Sequence, residues 1–268
     1  MKSLGKLTTI KNMAVVIIIL AFVLSLLPPI LIFLWLRKRK AEDEEYRKIC
    51  NKAFGRGALW CPLVLIVFLL VFYGLELLMT KLGVNAVVVA LYHNFIVAAL
   101  LEEGVKYAGL RRHLMKHQYQ YSRLDVISMM MIIGIGFGLM EAVFFAAGLN
   151  PGKMIARGIM AMHCGYGFIT GCFVAKGMQT GKKRYSVLGV LIPFVLHGLY
   201  DSCVSAELRQ ISEYISMVSV VLALVGIITL VVAIVHINKA KKKAEYTTPL
   251  SLFVQPSQPS QSNQPDIQ

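Results

Sequence analysis

MAVVIIILAFVLSLLPPILIFLWL, residues 13–36, is followed at once by the basic run Arg37-Lys38-Arg39-Lys40. The apolar run is interrupted only by Pro28 and Pro29. It is too long for the core of a signal peptide, and no small-x-small cleavage site precedes the basic run. It therefore reads as a membrane helix with a positively charged flank, and that reading sets the class of the whole chain.

The composition agrees. The chain of 268 residues is 57% hydrophobic, with only 16% charged residues and a mean hydropathy of +0.65. A soluble domain of this length is rarely so apolar. The formal net charge of +14 sits in short runs between apolar segments, which is membrane topology and excludes a nucleic-acid partner. Five cysteines, Cys50, Cys61, Cys164, Cys172 and Cys203, show no CxxC spacing. They read as small apolar side chains rather than a disulfide or thiolate framework.

An α-helix needs about 20 apolar residues to cross the hydrocarbon core. Stretches near Met13–Leu36, Ala58–Met79, Val84–Lys106, Val126–Gly148, Met154–Ala175, Tyr185–Val204 and Ser212–Ile237 qualify. Alternate connections hold 21 of the 28 Lys and Arg residues, in 37–56, 106–123, 176–184 and 239–243. The other side holds Lys2, Lys6, Lys11, Lys81, Lys153, Arg157 and Arg209. Basic loops face the cytoplasm. The expected fold is thus all-α, a polytopic bundle of about seven transmembrane helices in the cell membrane, with the N-terminus outside and the C-terminus cytoplasmic. The expected organisation is helices 1 and 2 with their basic loop in 1–83, a four-helix catalytic core in 84–205, a last helix in 206–238, and a disordered cytoplasmic tail in 239–268. That tail is rich in Gln, Ser and Pro from Ala244 onward.

Ionisable groups in the hydrocarbon cost several kcal/mol unless paired, neutralised or hydrated, so they mark where to look for function. Leu101-Glu102-Glu103-Gly104-Val105-Lys106 places Lys106 within one helical turn of both carboxylates. Adjacent carboxylates cannot both ionise cheaply in a dry site, a setting that suits a general base or acid. An interfacial charge patch is the plainer alternative. Gly134-x-x-x-Gly138 permits close helix approach, and Glu141 follows one turn later with no basic neighbour in sequence. His163 lies in Met162-His163-Cys164-Gly165-Tyr166-Gly167, where small residues again permit close packing. His197 and Asp201, four apart, share one helix face, and an aspartate can orient an imidazole or ligate a metal beside it. Hydrogen-bonded helix packing is the competing reading for each of these. Two histidines and one or two carboxylates from different helices suffice for a zinc-type site with an open position for water. Glu76 and His93 are left out of the site, Glu76 because it can snorkel to the interface and His93 because it has no acidic neighbour within a turn.

The four segments in order resemble the PrsW-type intramembrane proteases, within the wider group of CAAX-processing and bacteriocin-immunity membrane proteases. The matching parts are Glu102-Glu103-x-x-Lys106, Gly136-Phe137-Gly138 leading to Glu141, His163-x-x-x-Gly167, and Pro193-Phe194-x-x-His197-Gly198-Leu199-Tyr200-Asp201. They cover about 98–202. Glu141, where the CAAX branch has a histidine, favours the PrsW branch. Ala142 departs from the asparagine expected there. The Gly138-x-x-Glu141-Ala142 run is also similar to the YhfC-type membrane peptidases, a neighbouring branch.

The resemblance implies hydrolysis of a peptide bond in a membrane protein, such as a single-pass anti-sigma factor in regulated intramembrane proteolysis. On this reading His163 and His197, with Glu141 or Asp201, hold Zn2+ or position a water. Glu102 or Glu103 takes a proton from that water, and Lys106 tethers the glutamate pair. A metal-free Glu/His mechanism uses the same residues. A proton-coupled transporter and a non-catalytic member of the same fold are the alternatives. The expected helix ends leave one difficulty. Glu102 and Glu103 fall about seven residues, or ~11 Å, to the cytoplasmic side of the centre of helix 3, while His163 and His197 fall near mid-membrane.

Overall fold

Helices account for every long element of the computed structural model, which describes residues 2–116, 119–147 and 162–250. They are α1 (Lys2–Lys38), α2 (Glu44–Lys81), α3 (Ala86–Lys116), α4 (Arg123–Ala147), α5 (Met162–Thr180), α6 (Lys183–Val204) and α7 (Glu213–Ala240). Among the described residues, α2, α3, α4, α6 and α7 are long and apolar enough to cross a membrane. Broad apolar surface on the outer helices, such as Val220, Val221, Leu224 and Ile228 on α7, stays exposed. Water does not tolerate patches of this size, and lipid requires them. The chain is a polytopic helical membrane protein.

Several expected boundaries move. The basic segment 37–56 is not a loop, because α2 already begins at Glu44. Asp43 caps it by accepting from the N–H of Tyr46 at 2.8 Å, and Glu44 and Glu45 fill its first turn, where carboxylates are favoured. Helix α3 does not end at Lys106 but runs to Lys116. Asn85 caps its start by accepting from the N–H of Val87. A wider π-helical stretch, Tyr92–Leu100, interrupts it just ahead of Glu102. The expected start of helix 5 at Met154, with Lys153 and Arg157, lies outside the described residues.

Helix α4 is the interior of the bundle. In its most apolar window 78% of residues are buried, against 11% in that of α7. Glycines let its neighbours come close. A Cβ at Gly136 or Gly57 would strike the partner backbone across the α2–α4 contact, at Phe54 and Ile133 respectively. A Cβ at Gly167 or Gly171 of α5 would lie 2.7 Å from backbone atoms of Met130 and Ile127 on α4. Helix α2, expected outside the core, therefore packs tightly on the central helix. Helix α5, buried along most of its length, meets protein rather than lipid. This accounts for its small and polar residues.

At the basic end, the buried Asp125 pairs with Arg39 and, at 2.9 Å, with Lys40. It also accepts from the backbone N–H and hydroxyl of Ser122. Tyr119 donates to Asp43 at 2.7 Å. Burial would raise the Asp43 carboxyl, but the N–H of Tyr46, the Tyr119 hydroxyl and nearby Lys40 together hold it below the usual range. The chain does not become irregular at Ala244. A short turn, Ala244–Thr247, folds back so that Glu245 pairs with Arg123, and Arg123 lies 4.3 Å over the ring of Tyr246. The N–H of Leu250 bonds the carbonyl of Tyr121 at 2.7 Å. The remainder of the expected tail, from residue 251, lies outside the described residues.

Candidate active site

Three helices carry the polar cluster, and α4 closes it. The longer α3 removes the depth difficulty, since Glu102 and Glu103 lie at the middle of Ala86–Lys116 rather than near its end. Gly134 and Gly138 do for α5 what the G-x-x-x-G spacing suggests. A Cβ at Gly134 would strike the backbone of His163, and one at Gly138 would lie 2.8 Å from Cδ2 of its ring. The glycines thus admit His163 itself, and Glu141, one turn on, meets its Nε2 at 2.8 Å.

Lys106 stands at the centre. Its Nζ lies 2.7 Å from Oε1 of Glu103, 3.0 Å from Nδ1 of His163 and 3.5 Å from Oε2 of Glu102. The ring of Phe137, between the two glycines, lies 4.4 Å beneath it. An ammonium 1% exposed is tolerable only with such partners. His197 is held on both sides. Its Nδ1 is 3.0 Å from Oε1 of Glu103, and its Nε2 is 3.2 Å from Oδ2 of Asp201. Nε2 is also 3.9 Å from Oε2 of Glu102, too far for a direct hydrogen bond.

The two glutamates differ in setting. Glu103 is 1% exposed and engaged by Lys106 and His197. Glu102 lines a cavity of about 590 Å³ between α2, α3, α4 and the segment after α6, which Glu141 and Asp201 also line. Its Oε2 is buried without a hydrogen bond, and the Lys106 ammonium, 3.5 Å away, offers it charge but not a short contact.

One ligand atom each from Glu102, Glu103, His163 and His197 lie within 4.8 Å of one another. Two imidazoles and two carboxylates are a donor set that fits a zinc-type ion. The grouping contains both glutamates of α3. Glu141, expected as a ligand with the two histidines, instead bonds the far nitrogen of His163, where it can orient the ring.

All six expected site residues and Lys106 thus fall in one neighbourhood. Three more belong to it. Phe137 supports Lys106, and Tyr166 stacks on His197 with centroids 5.4 Å apart. Asn94 lines the cavity and is 8% exposed, with an amide nitrogen that has no hydrogen-bond partner. An amide amid the apolar residues 86–101, after the Asn85 cap, was the one available signal for Asn94. Aromatic residues in an apolar helix carry no such signal. Glu76 and His93 pair with each other at 3.1 Å, and His93 reaches the wall of the cavity.

Known proteins resemble this chain over most of its length. The sequence model of a family described as PrsW family intramembrane metalloprotease matches residues 47–240. The chain is 26% identical over 199 residues to Protease PrsW of Clostridioides difficile (strain 630), covering 70% of this chain and 80% of that protein. It is 32% identical over 124 residues to Protease PrsW of Shouchella clausii (strain KSM-K16), and 30% over 119 residues to that of Geobacillus kaustophilus (strain HTA426). These two matches span 54% and 53% of the relatives, and 42% and 43% of this chain. No solved structure matches. With a match running from the start of α2 to the end of α7, and the acidic and histidine side chains converging inside the bundle, the chain belongs to the PrsW family of intramembrane metalloproteases.

Proposed function

We propose that this protease hydrolyses a peptide bond of a single-pass membrane protein, with Glu102 as the group that handles the proton of the attacking water. The observation that carries this reading is the convergence of Glu102, Glu103, His163 and His197 within 4.8 Å at the wall of a cavity.

Glu102 takes a proton from water on the cavity side and later returns it to the leaving amine. Glu103 acts through its neighbours, holding Lys106 and Nδ1 of His197. Asp201 fixes the same imidazole at Nε2, and Glu141 does so for His163. Zn2+ held by Glu103, His163 and His197, with Glu102 left free as the base, would supply a positive charge that acidifies water and polarises a carbonyl. Asn94 offers its amide to the backbone of a substrate segment lying in the cavity. The apolar wall formed by Val64, Leu65 and Phe68 of α2 suits such a segment arriving sideways from the bilayer. The family resemblance supports an anti-sigma factor as one such substrate, in regulated intramembrane proteolysis. The basic clusters around residues 37–40, 111–112, 182–184 and 241–243 support a cytoplasmic location for that end of the bundle.

The test is cleavage of a single-pass substrate by the purified protein in liposomes. Glu102→Gln and His197→Ala are expected to lower turnover at least about a hundredfold. Undiminished cleavage by either variant overturns the assignment.

A further inference from the structure

A second cavity, of about 990 Å³, lies between α3 and the α5–α6 turn and shares no lining residue with the catalytic cavity. Its character changes along its length. Leu100, Leu191 and Phe194 line the end nearer the middle of the bundle, and Arg111, Lys183 and Ser186 line the end at the basic loops. No acidic residue lines it, and among the described residues neither Arg111 nor Lys183 has an ion-pair partner. Leu191 is 46% exposed, so the groove opens sideways toward the bilayer.

This order of groups matches one kind of occupant. Hydrocarbon fills the apolar end at membrane depth. The basic end sits among the basic loops, which mark the head-group level of a bilayer, and basic pockets between helices at that level favour anionic head groups. An apolar peptide would satisfy the walls but leave both cations without counter-charge. We propose that this groove binds an anionic phospholipid, with its phosphate between Arg111 and Lys183 and an acyl chain along Leu100, Leu191 and Phe194. Leu100 lies two residues before Glu102, and Phe194 one turn before His197. A bound lipid would therefore buttress, from outside, the two helices that carry these residues. The proposal does not depend on the catalytic roles assigned above.

The experiment is native mass spectrometry of the full-length protein released from nanodiscs containing equal phosphatidylglycerol and phosphatidylcholine. Phosphatidylglycerol is expected to be retained about 25-fold over phosphatidylcholine, ~1 kcal/mol from each of the two cations. Arg111→Ala and Lys183→Ala should each lower that preference about fivefold, equivalent to ~1 kcal/mol per cation near the surface. Arg184→Ala, whose guanidinium lies over Tyr185, should leave it unchanged. Val190→Trp, which fills the groove, should abolish retention with the melting temperature preserved. Equal retention of both lipids overturns the proposal, as does an unchanged preference in the Arg111→Ala, Lys183→Ala double variant. A photoreactive group at Val187 that captures protein rather than lipid also overturns it.

Discussion

The ammonium of Lys106 and Nδ1 of His163 lie 3.0 Å apart, though 57 positions separate them in sequence. The same ammonium touches Glu103 and approaches Glu102, so it stands among three of the four side chains able to hold a metal. A fixed cation there competes with a mobile one. Lys106→Met should raise the Zn2+ retained per purified chain while lowering turnover about tenfold or more. Metal analysis by mass spectrometry reads the first effect independently of activity, and unchanged metal content would contradict the competition.

The two adjacent glutamates should separate on stability. Glu103→Gln leaves Lys106 buried beside a neutral amide, and breaking a buried pair in this way costs about 3–5 kcal/mol. Glu102→Gln changes a cavity-lining group and should leave the melting temperature nearly unchanged. Both variants should lose activity. Thermal unfolding in detergent alongside the cleavage assay distinguishes them, and equal loss of stability in both would remove the distinction between proton-handling and positioning roles.

Gly138→Ala places a Cβ 2.8 Å from the His163 ring. The ring must tilt, and a displacement near 1 Å can cost about a hundredfold in rate. Gly171→Ala makes a similar collision with Ile127 farther along α5. It should cost stability, about 1–3 kcal/mol, with a smaller effect on turnover. A rate assay on the folded fraction of each variant tests the contrast.

Asp125 should matter for folding and not for chemistry. Asp125→Ala leaves Arg39, whose side chain is 8% exposed, without its carboxylate. The expected cost is about 3–5 kcal/mol. Protein that remains folded should cleave at the normal rate, as measured by kcat on monodisperse material. A fall in kcat without a fall in melting temperature would show that this end of the bundle communicates with the site.

The length of each apolar run, the basic clusters and the spacing of Glu102, Glu103 and Lys106 are local properties. They were legible in the sequence because helix rise and periodicity convert spacing directly into length and face. His197 and Asp201 paired as their four-residue spacing required, and Gly134 and Gly138 marked a close helix contact. Helix ends were less legible. The basic residues after Glu44 suggested a loop, yet the Asp43 cap and two acidic residues extended α2 through them. Residues 107–116 likewise continued α3 into charged sequence and so raised Glu102 and Glu103 to the depth of the histidines. Spacing left Lys106 between two carboxylates, and only packing added His163 as its third partner. Packing also assigned Glu141 to the far nitrogen of His163, brought Asn94, Phe137 and Tyr166 to the site, and turned Glu102 rather than Glu103 toward the cavity. Those choices depend on the rotation and depth of α3, α4, α5 and α6 relative to one another, which contacts between helices set and no single helix encodes.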